Sequence, residues 1–70
     1  MKSAKLKGAI FGHGKTISEV AEALDLSYSA FYRRLYGEME FSRAEINRLT
    51  DFLGLSVEEM MDIFFDSKVS

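Results

Sequence analysis

The sequence predicts an all-α fold, a compact domain of five short helices with a helix-turn-helix at the second and third. Two observations carry this prediction. Three capping boxes, each a Ser or Thr followed three residues later by Glu, occur at helix-length spacing, and an apolar pattern with the helical period follows each of them. No stretch shows the strict apolar–polar alternation of a half-buried strand.

The first helix has no capping box and is predicted over residues 4–12 from its apolar spacing. Leu6, Ala9 and Ile10 share one face at intervals of three and four residues. The sequence "GHG", residues 12–14, ends this helix, because glycine disfavours continuation and accepts turn conformations.

The second helix is predicted over residues 17–24, behind the capping box of Thr16 and Glu19. The three residues "DLS", Asp25 to Ser27, then turn the chain, with Leu26 inward. Two short helices joined by such a turn form a helix-turn-helix. Spacing alone leaves two possibilities open: a DNA-binding helix-turn-helix, or an ordinary tight corner of a small bundle.

The third helix is predicted over residues 28–36, capped by Ser27 and ended by Gly37. Phe31 and Leu35 are four residues apart and face the core, which leaves tyrosines, a serine and an arginine on the outer face. Of the three tyrosines, we expect Tyr36 to be the one that is partly buried.

The last two helices follow the capping boxes at residues 42–45 and 56–59 and are predicted over residues 43–53 and 57–65. Gly54 ends the fourth helix. The connections are short, as in a single compact helical domain, so we expect residues 1–70 to form one domain with an ordered core of about 4–65.

Composition excludes several classes of function. With no Cys and one His, the chain has no thiol or histidine cluster for a metal, and we expect neither metal nor cofactor. Its apolar runs are far shorter than the about 20 residues that cross a membrane. No nucleophile–base arrangement occurs, so we expect no enzymatic activity and no small-molecule substrate.

Charge is distributed unevenly, although the net charge is only −2. Residues 1–37 contain six basic and three acidic side chains, whereas residues 38–70 contain three basic and eight acidic ones. A basic face on an acidic body is therefore expected.

The final helix carries more apolar residues than one buried face needs. The segment "MMDIFF", Met60 to Phe65, has five apolar residues in six, and Met61 and Phe65 are the expected surplus. They form either one side of a helix wedged between others or an exposed surface for a homodimer or a partner protein.

Residues 6–65 resemble the phage-repressor and Cro-like helix-turn-helix family, also called XRE or lambda-repressor-like. The resemblance rests on an ordered set of landmarks: Gly14, Thr16, Ala21, Leu26, Ser27, Phe31, Gly37 and the ending "DFLGLSVEEM". It implies a five-helix domain whose third helix enters the DNA major groove. It also implies a homodimer on a pseudo-palindromic operator, regulating transcription in the cytoplasm of a bacterial or phage-infected cell.

The resemblance also assigns candidate site residues. The base-reading positions are Tyr28, Ser29, Tyr32 and Arg33. The DNA-phosphate positions are Lys15, Thr16, Ser18, Arg34 and Tyr36.

The sequence departs from the family pattern at several of its DNA-facing positions. Ile17 stands where the family commonly has a phosphate-binding Gln. Glu38 and Glu40 stand where basic residues often meet the DNA backbone. Elsewhere, Arg34 replaces a residue that is often aliphatic, and Asp25 replaces a turn glycine. The acidic residues favour a second hypothesis, in which the same fold is a protein-interaction module, an antirepressor or adaptor, acting through its acidic C-terminal half.

Overall fold

The computed structural model describes residues 1–65, and in that range it contains five α-helices and no strand. They are α1 (Ser3–Gly12), α2 (Ile17–Ala23), α3 (Tyr28–Leu35), α4 (Arg43–Leu53) and α5 (Val57–Phe64). Each predicted boundary lies within one residue of the observed one, and the all-α prediction is confirmed. No helix in the described range has the length and apolar character needed to cross a membrane.

The starts of α2 to α5 are fixed by the hydroxyl caps read from the sequence. The boxes led by Thr16, Ser42 and Ser56 are all closed on both sides, with hydrogen bonds of 2.8–3.1 Å between each cap and its Glu. Ser27 caps α3 by accepting from the backbone N–H of Ala30 at 3.1 Å. Each cap satisfies backbone donors that would otherwise lack a partner.

One apolar core holds the five helices together, and every helix contributes to it. Its twelve buried side chains are Leu6, Ile10, Ile17, Val20, Ala21, Leu24, Phe31, Leu35, Leu49, Leu53, Leu55 and Ile63. Phe31 of α3 packs edge-to-face on Phe41 at 5.7 Å between ring centroids, and Phe41 packs in turn on Phe64 of α5 at 5.6 Å. These aromatic contacts connect the inner face of α3 to α5 through Phe41, which lies between α3 and α4.

Ion pairs and a backbone hydrogen bond hold α1 against α5. Asp62 receives the Lys5 ammonium at 2.6 Å and lies 3.7 Å from that of Lys2. The backbone N–H of Lys2 donates to the carbonyl of Ile63 at 3.0 Å. The hydrogen bond from Lys5, with the charges of Lys5 and Lys2, lowers the pKa of Asp62 below its ordinary value.

A second contact joins the turn after α1 to the start of α5. His13 Nε2 lies 3.3 Å from the Glu59 carboxylate, which also accepts from the backbone N–H of Ser56. The backbone hydrogen bond, followed by the contact with His13, lowers the pKa of Glu59.

We predict that Asp62→Asn makes the free energy of unfolding less dependent on pH under acidic conditions. A carboxyl whose pKa is lower in the folded state adds stability above its unfolded pKa of about 3.9, and that stability is lost as the pH falls through the folded pKa. The variant should therefore lose less of its free energy of unfolding than the wild type between about pH 5 and pH 2, as measured by urea unfolding at each pH. The control is Asp51→Asn, which removes an exposed carboxylate that makes no ion pair in residues 1–65. If both variants lose equally little free energy of unfolding as the pH falls, the effect does not come from the ion pairs of Asp62.

Candidate nucleic-acid interface

The turn between α2 and α3 has the geometry of a helix-turn-helix. Asp25 adopts the left-handed conformation with a φ of 60°. Asp is among the residues that tolerate this region. The backbone N–H of Leu26 donates to the carbonyl of Ala21 at 2.9 Å, and the Leu26 side chain packs on the core. Ser27 then starts α3, so the predicted roles of all three turn residues are confirmed.

The two sides of α3 differ sharply in exposure. Phe31 and Leu35 are fully buried. Ser29 and Arg33, four residues apart and thus one above the other, are exposed, as is Tyr28 beside them. The outer face therefore offers a hydroxyl, a phenol and a guanidinium to a ligand, on a helix whose orientation the core determines.

Three tyrosines at intervals of four residues form a continuous row along α3, which we call the tyrosine ladder: Tyr28, Tyr32 and Tyr36. The first two rings meet edge-to-face at 4.8 Å, with 3.3 Å between their hydroxyl oxygens. The second and third rings are stacked at 5.5 Å with an interplanar angle of 9°. The hydrogen bond with Tyr28, together with partial desolvation, raises the pKa of Tyr32 above its ordinary value.

A family model for the Cro/C1-type helix-turn-helix DNA-binding domain matches residues 5–66. The chain belongs to this family. Searches among curated proteins and among solved structures find no match. Membership supports DNA binding, and the entry of α3 into the major groove stays a prediction.

One expectation about the ladder is wrong. Tyr36, predicted to be the partly buried tyrosine, is 53% exposed, whereas Tyr32 is half-buried and packs on the core. Tyr36 caps the C-terminus of α3, and the chain turns away at Gly37, which has a φ of 86°. The Tyr36 ring therefore lies along the outer edge of α3, stacked on Tyr32, and is not buried in the core.

Arg34 points to α4 and not to solvent. Its Nε lies 3.0 Å from Glu45 Oε1, and its Nη1 donates to the carbonyl of Ala30 at 3.0 Å. The two charged side chains are only 15% and 16% exposed. The same Glu45 oxygen accepts from the backbone N–H of Ser42 at the start of α4. This placement differs from the phosphate-facing one expected from the sequence and makes Arg34 a positioning residue between α3 and α4.

Of the residues at the start of α2 that were predicted to bind DNA phosphates, some already have partners within the domain and one is exposed. Thr16 is engaged with Glu19 through both its hydroxyl and its backbone N–H, and the ammonium of Lys15 lies 5.1 Å from the centre of the Phe52 ring. Ser18 is exposed and lines an open cleft of about 530 Å³ that Tyr28 also lines. Ile17, the departure from the family pattern, is buried in the core.

The cations differ in whether a carboxylate already neutralises them. Lys2, Lys5 and Arg34 form ion pairs with acids. Within residues 1–65 the remaining Lys and Arg side chains form none; they are Lys7, Lys15, Arg33, Arg43 and Arg48. Of these, Arg33 lies on the outer face of α3.

Within residues 1–65 no group of three His, Asp or Glu side chains could hold a metal ion.

Sequence reasoning missed two features. Lys7 donates to the hydroxyl of Tyr36 at 3.1 Å, although the two are 29 residues apart and no local spacing indicates the contact. Val57 is 72% exposed and lies four residues before Met61, itself 42% exposed. Met61 and Phe65, which the sequence predicted to be surplus to the core, are both exposed, and Val57 joins them in an apolar stripe along α5 and its C-cap. The four-residue spacing in the sequence could have indicated Val57 as well.

We predict a measurable coupling between Arg34 and Glu45. Glu45→Gln keeps a capping side chain but removes the charge, and Arg34→Met keeps much of the stem but removes the guanidinium. A double-mutant cycle of urea unfolding should give a coupling free energy of about 0.5–3 kcal/mol. Additive effects of the two substitutions would show that the pair contributes no coupling.

Proposed function

We propose that the protein is a sequence-specific DNA-binding regulator of transcription of the phage repressor or Cro type. Family membership supports DNA binding. The observation that carries the proposal is the exposed pair Ser29 and Arg33 on α3, a helix whose opposite face is fully buried. A helix about 10–12 Å across fits the major groove, which is about 12 Å wide.

Base reading is assigned to Tyr28, Ser29, Tyr32 and Arg33. Arg33 reaches the O6 and N7 atoms of a guanine through its two-pronged guanidinium, and no carboxylate within residues 1–65 competes for it. Ser29 bonds to a base edge, and Tyr28 and Tyr32 pack on a thymine methyl or donate to bases or phosphates.

Phosphate contacts are assigned to the edges of this surface. Tyr36 offers its exposed hydroxyl at the end of α3, and Ser18 offers one at the start of α2. Lys15 contributes charge, and the hydroxyl hydrogen of Thr16 remains a donor after the capping oxygen has accepted. Such contacts position a protein on the duplex without reading its sequence.

The active form is proposed to be a homodimer that contacts two half-sites. A second copy would cover Met61 and Phe65, with Val57 in the same stripe, and would remove exposed apolar surface from water. Two copies of α3 would then read half-sites about 34 Å apart on a pseudo-palindromic operator, and occupancy of a promoter would repress transcription.

The second candidate function is a protein-interaction module, favoured by exposed Glu38 and Glu40 directly after α3. Salt dependence separates the two. DNA binding driven by about 6–10 phosphate contacts weakens by about 10³–10⁵ between 50 and 200 mM salt. Apolar docking of a protein on α5 would change little. A DNA affinity that does not change with salt concentration would contradict the DNA-binding proposal.

We predict that Arg33→Ala relaxes specificity at one base pair. Loss of a bidentate guanine contact should cost about 1–3 kcal/mol on the preferred duplex and much less on a duplex changed at that base pair. Competition binding against single-base variants of the preferred site measures this. Arg48→Ala is the control, since it removes an exposed arginine from α4. An unchanged base preference in Arg33→Ala would remove Arg33 from the base-reading set.

We predict that Met61→Gln weakens the dimer by about tenfold, because full burial of a methionine contributes about 1.5–3 kcal/mol and the dimer buries, twice, only the 42% of Met61 that is exposed. Sedimentation equilibrium measures the dimer dissociation constant. Met39→Gln is the matched control, because Met39 is 46% exposed and lies off α5. A dimer that weakens equally in both variants, or in neither, would contradict the role of the α5 stripe.

A further inference from the structure

The two lysines of α1, Lys5 and Lys7, have different environments. Lys5, with Lys2 just before the helix, is directed to Asp62 on α5. Lys7 lies on the other side of α1 and forms no ion pair in residues 1–65. The charge of Lys7 is thus still available to a ligand, whereas that of Lys5 is largely neutralised within the domain.

Lys7 is held at the end of α3. One turn before it on α1, the hydroxyl of Ser3 donates to the carbonyl of Leu35, which fixes α1 beside the C-terminus of α3. The Lys7 ammonium donates to the Tyr36 hydroxyl at 3.1 Å and lies 5.4 Å from the centre of the Tyr36 ring. A lysine restrained in this way loses less side-chain entropy when it binds than a freely rotating one.

The direction of this hydrogen bond leaves the Tyr36 hydroxyl able to donate a hydrogen bond of its own. Because the ammonium donates to the phenol oxygen, the tyrosine O–H can donate outward, and two N–H donors of Lys7 also remain. The pair therefore presents several donors and one positive charge at a single exposed point, a combination that suits a phosphate group.

We propose that Lys7 binds a DNA backbone phosphate together with Tyr36, at the edge of the groove that α3 enters. This proposal rests on the proposed DNA-binding function and adds to it a residue outside the helix-turn-helix. Tyr36 stacks on Tyr32 at the flank of the base-reading face, so the ammonium lies beside that face and not on it. When a helix fills the major groove, its flanks meet the phosphate backbone, where a compact ammonium acts as a point charge.

The test compares Lys7→Gln with Lys5→Gln, two variants with the same net charge and the same type of substitution on one helix. DNA affinity is measured by fluorescence anisotropy at several salt concentrations on one preferred duplex. Lys7→Gln should lower affinity about three- to tenfold at low salt and reduce the slope of log affinity against log salt by about one. Lys5→Gln should leave the slope unchanged, and Lys7→Arg should preserve it.

Two more readouts define the role. Tyr36→Phe keeps the ring beneath the ammonium but lacks the hydroxyl, so it should lower affinity without lowering the slope. Base preference, measured against single-base variants of the duplex, should stay the same in Lys7→Gln. Circular dichroism and thermal unfolding confirm that each variant folds.

Several outcomes would overturn the proposal. Equal slopes for Lys7→Gln and wild type would show that Lys7 neutralises no phosphate, and an altered base preference would show that it acts on the orientation of α3. Unchanged affinity in Tyr36→Phe would exclude the tyrosine hydroxyl from the contact. Salt-sensitive, sequence-specific binding by the wild type with no effect of Lys7→Gln would refute this inference alone, whereas no binding by the wild type would refute the DNA-binding function with it.

Discussion

The burial of Phe31 and Leu35 is the constraint on which the rest of the interface depends. A helix of eight residues, such as α3, is not stable by itself in water, since isolated helices shorter than about 12–15 residues are marginal. Its conformation and rotation are set by the two fully buried side chains and by the contact of Phe31 with Phe41. Ser29 and Arg33 face outward because the core fixes the opposite face.

Polar contacts then restrict the movements that apolar packing still allows. Arg34 is bonded to Glu45, whose carboxylate also caps α4, so one acidic side chain connects two helix termini. The tyrosine ladder stiffens the other flank of α3, and Lys7 connects its last ring to α1. In the proposed DNA-binding function, an α3 restrained on both sides would lose little entropy on binding, which favours affinity.

The fold was predictable because its signals are local. A capping box such as Ser42 with Glu45 spans four residues, and the apolar spacing behind it spans one helix. Side-chain partners were not predictable, since Lys7 and Tyr36 are separated by 29 residues. Arg34 shows the same limit. The sequence put it in the expected recognition helix, but only packing against α4 shows that its guanidinium turns inward to Glu45. Likewise, the exchange of burial between Tyr32 and Tyr36 depends on where the chain turns after α3.

The most direct test of the central claim, that α3 reads DNA sequence from a core-fixed outer face, is selection of bound duplexes from a random DNA pool at moderate salt, followed by sequencing. The account predicts enrichment of a pseudo-palindrome containing guanine in each half-site, with half-site centres about ten base pairs apart. Recovery of sequences no different from the starting pool, with folded protein limiting and the DNA in excess, would contradict it.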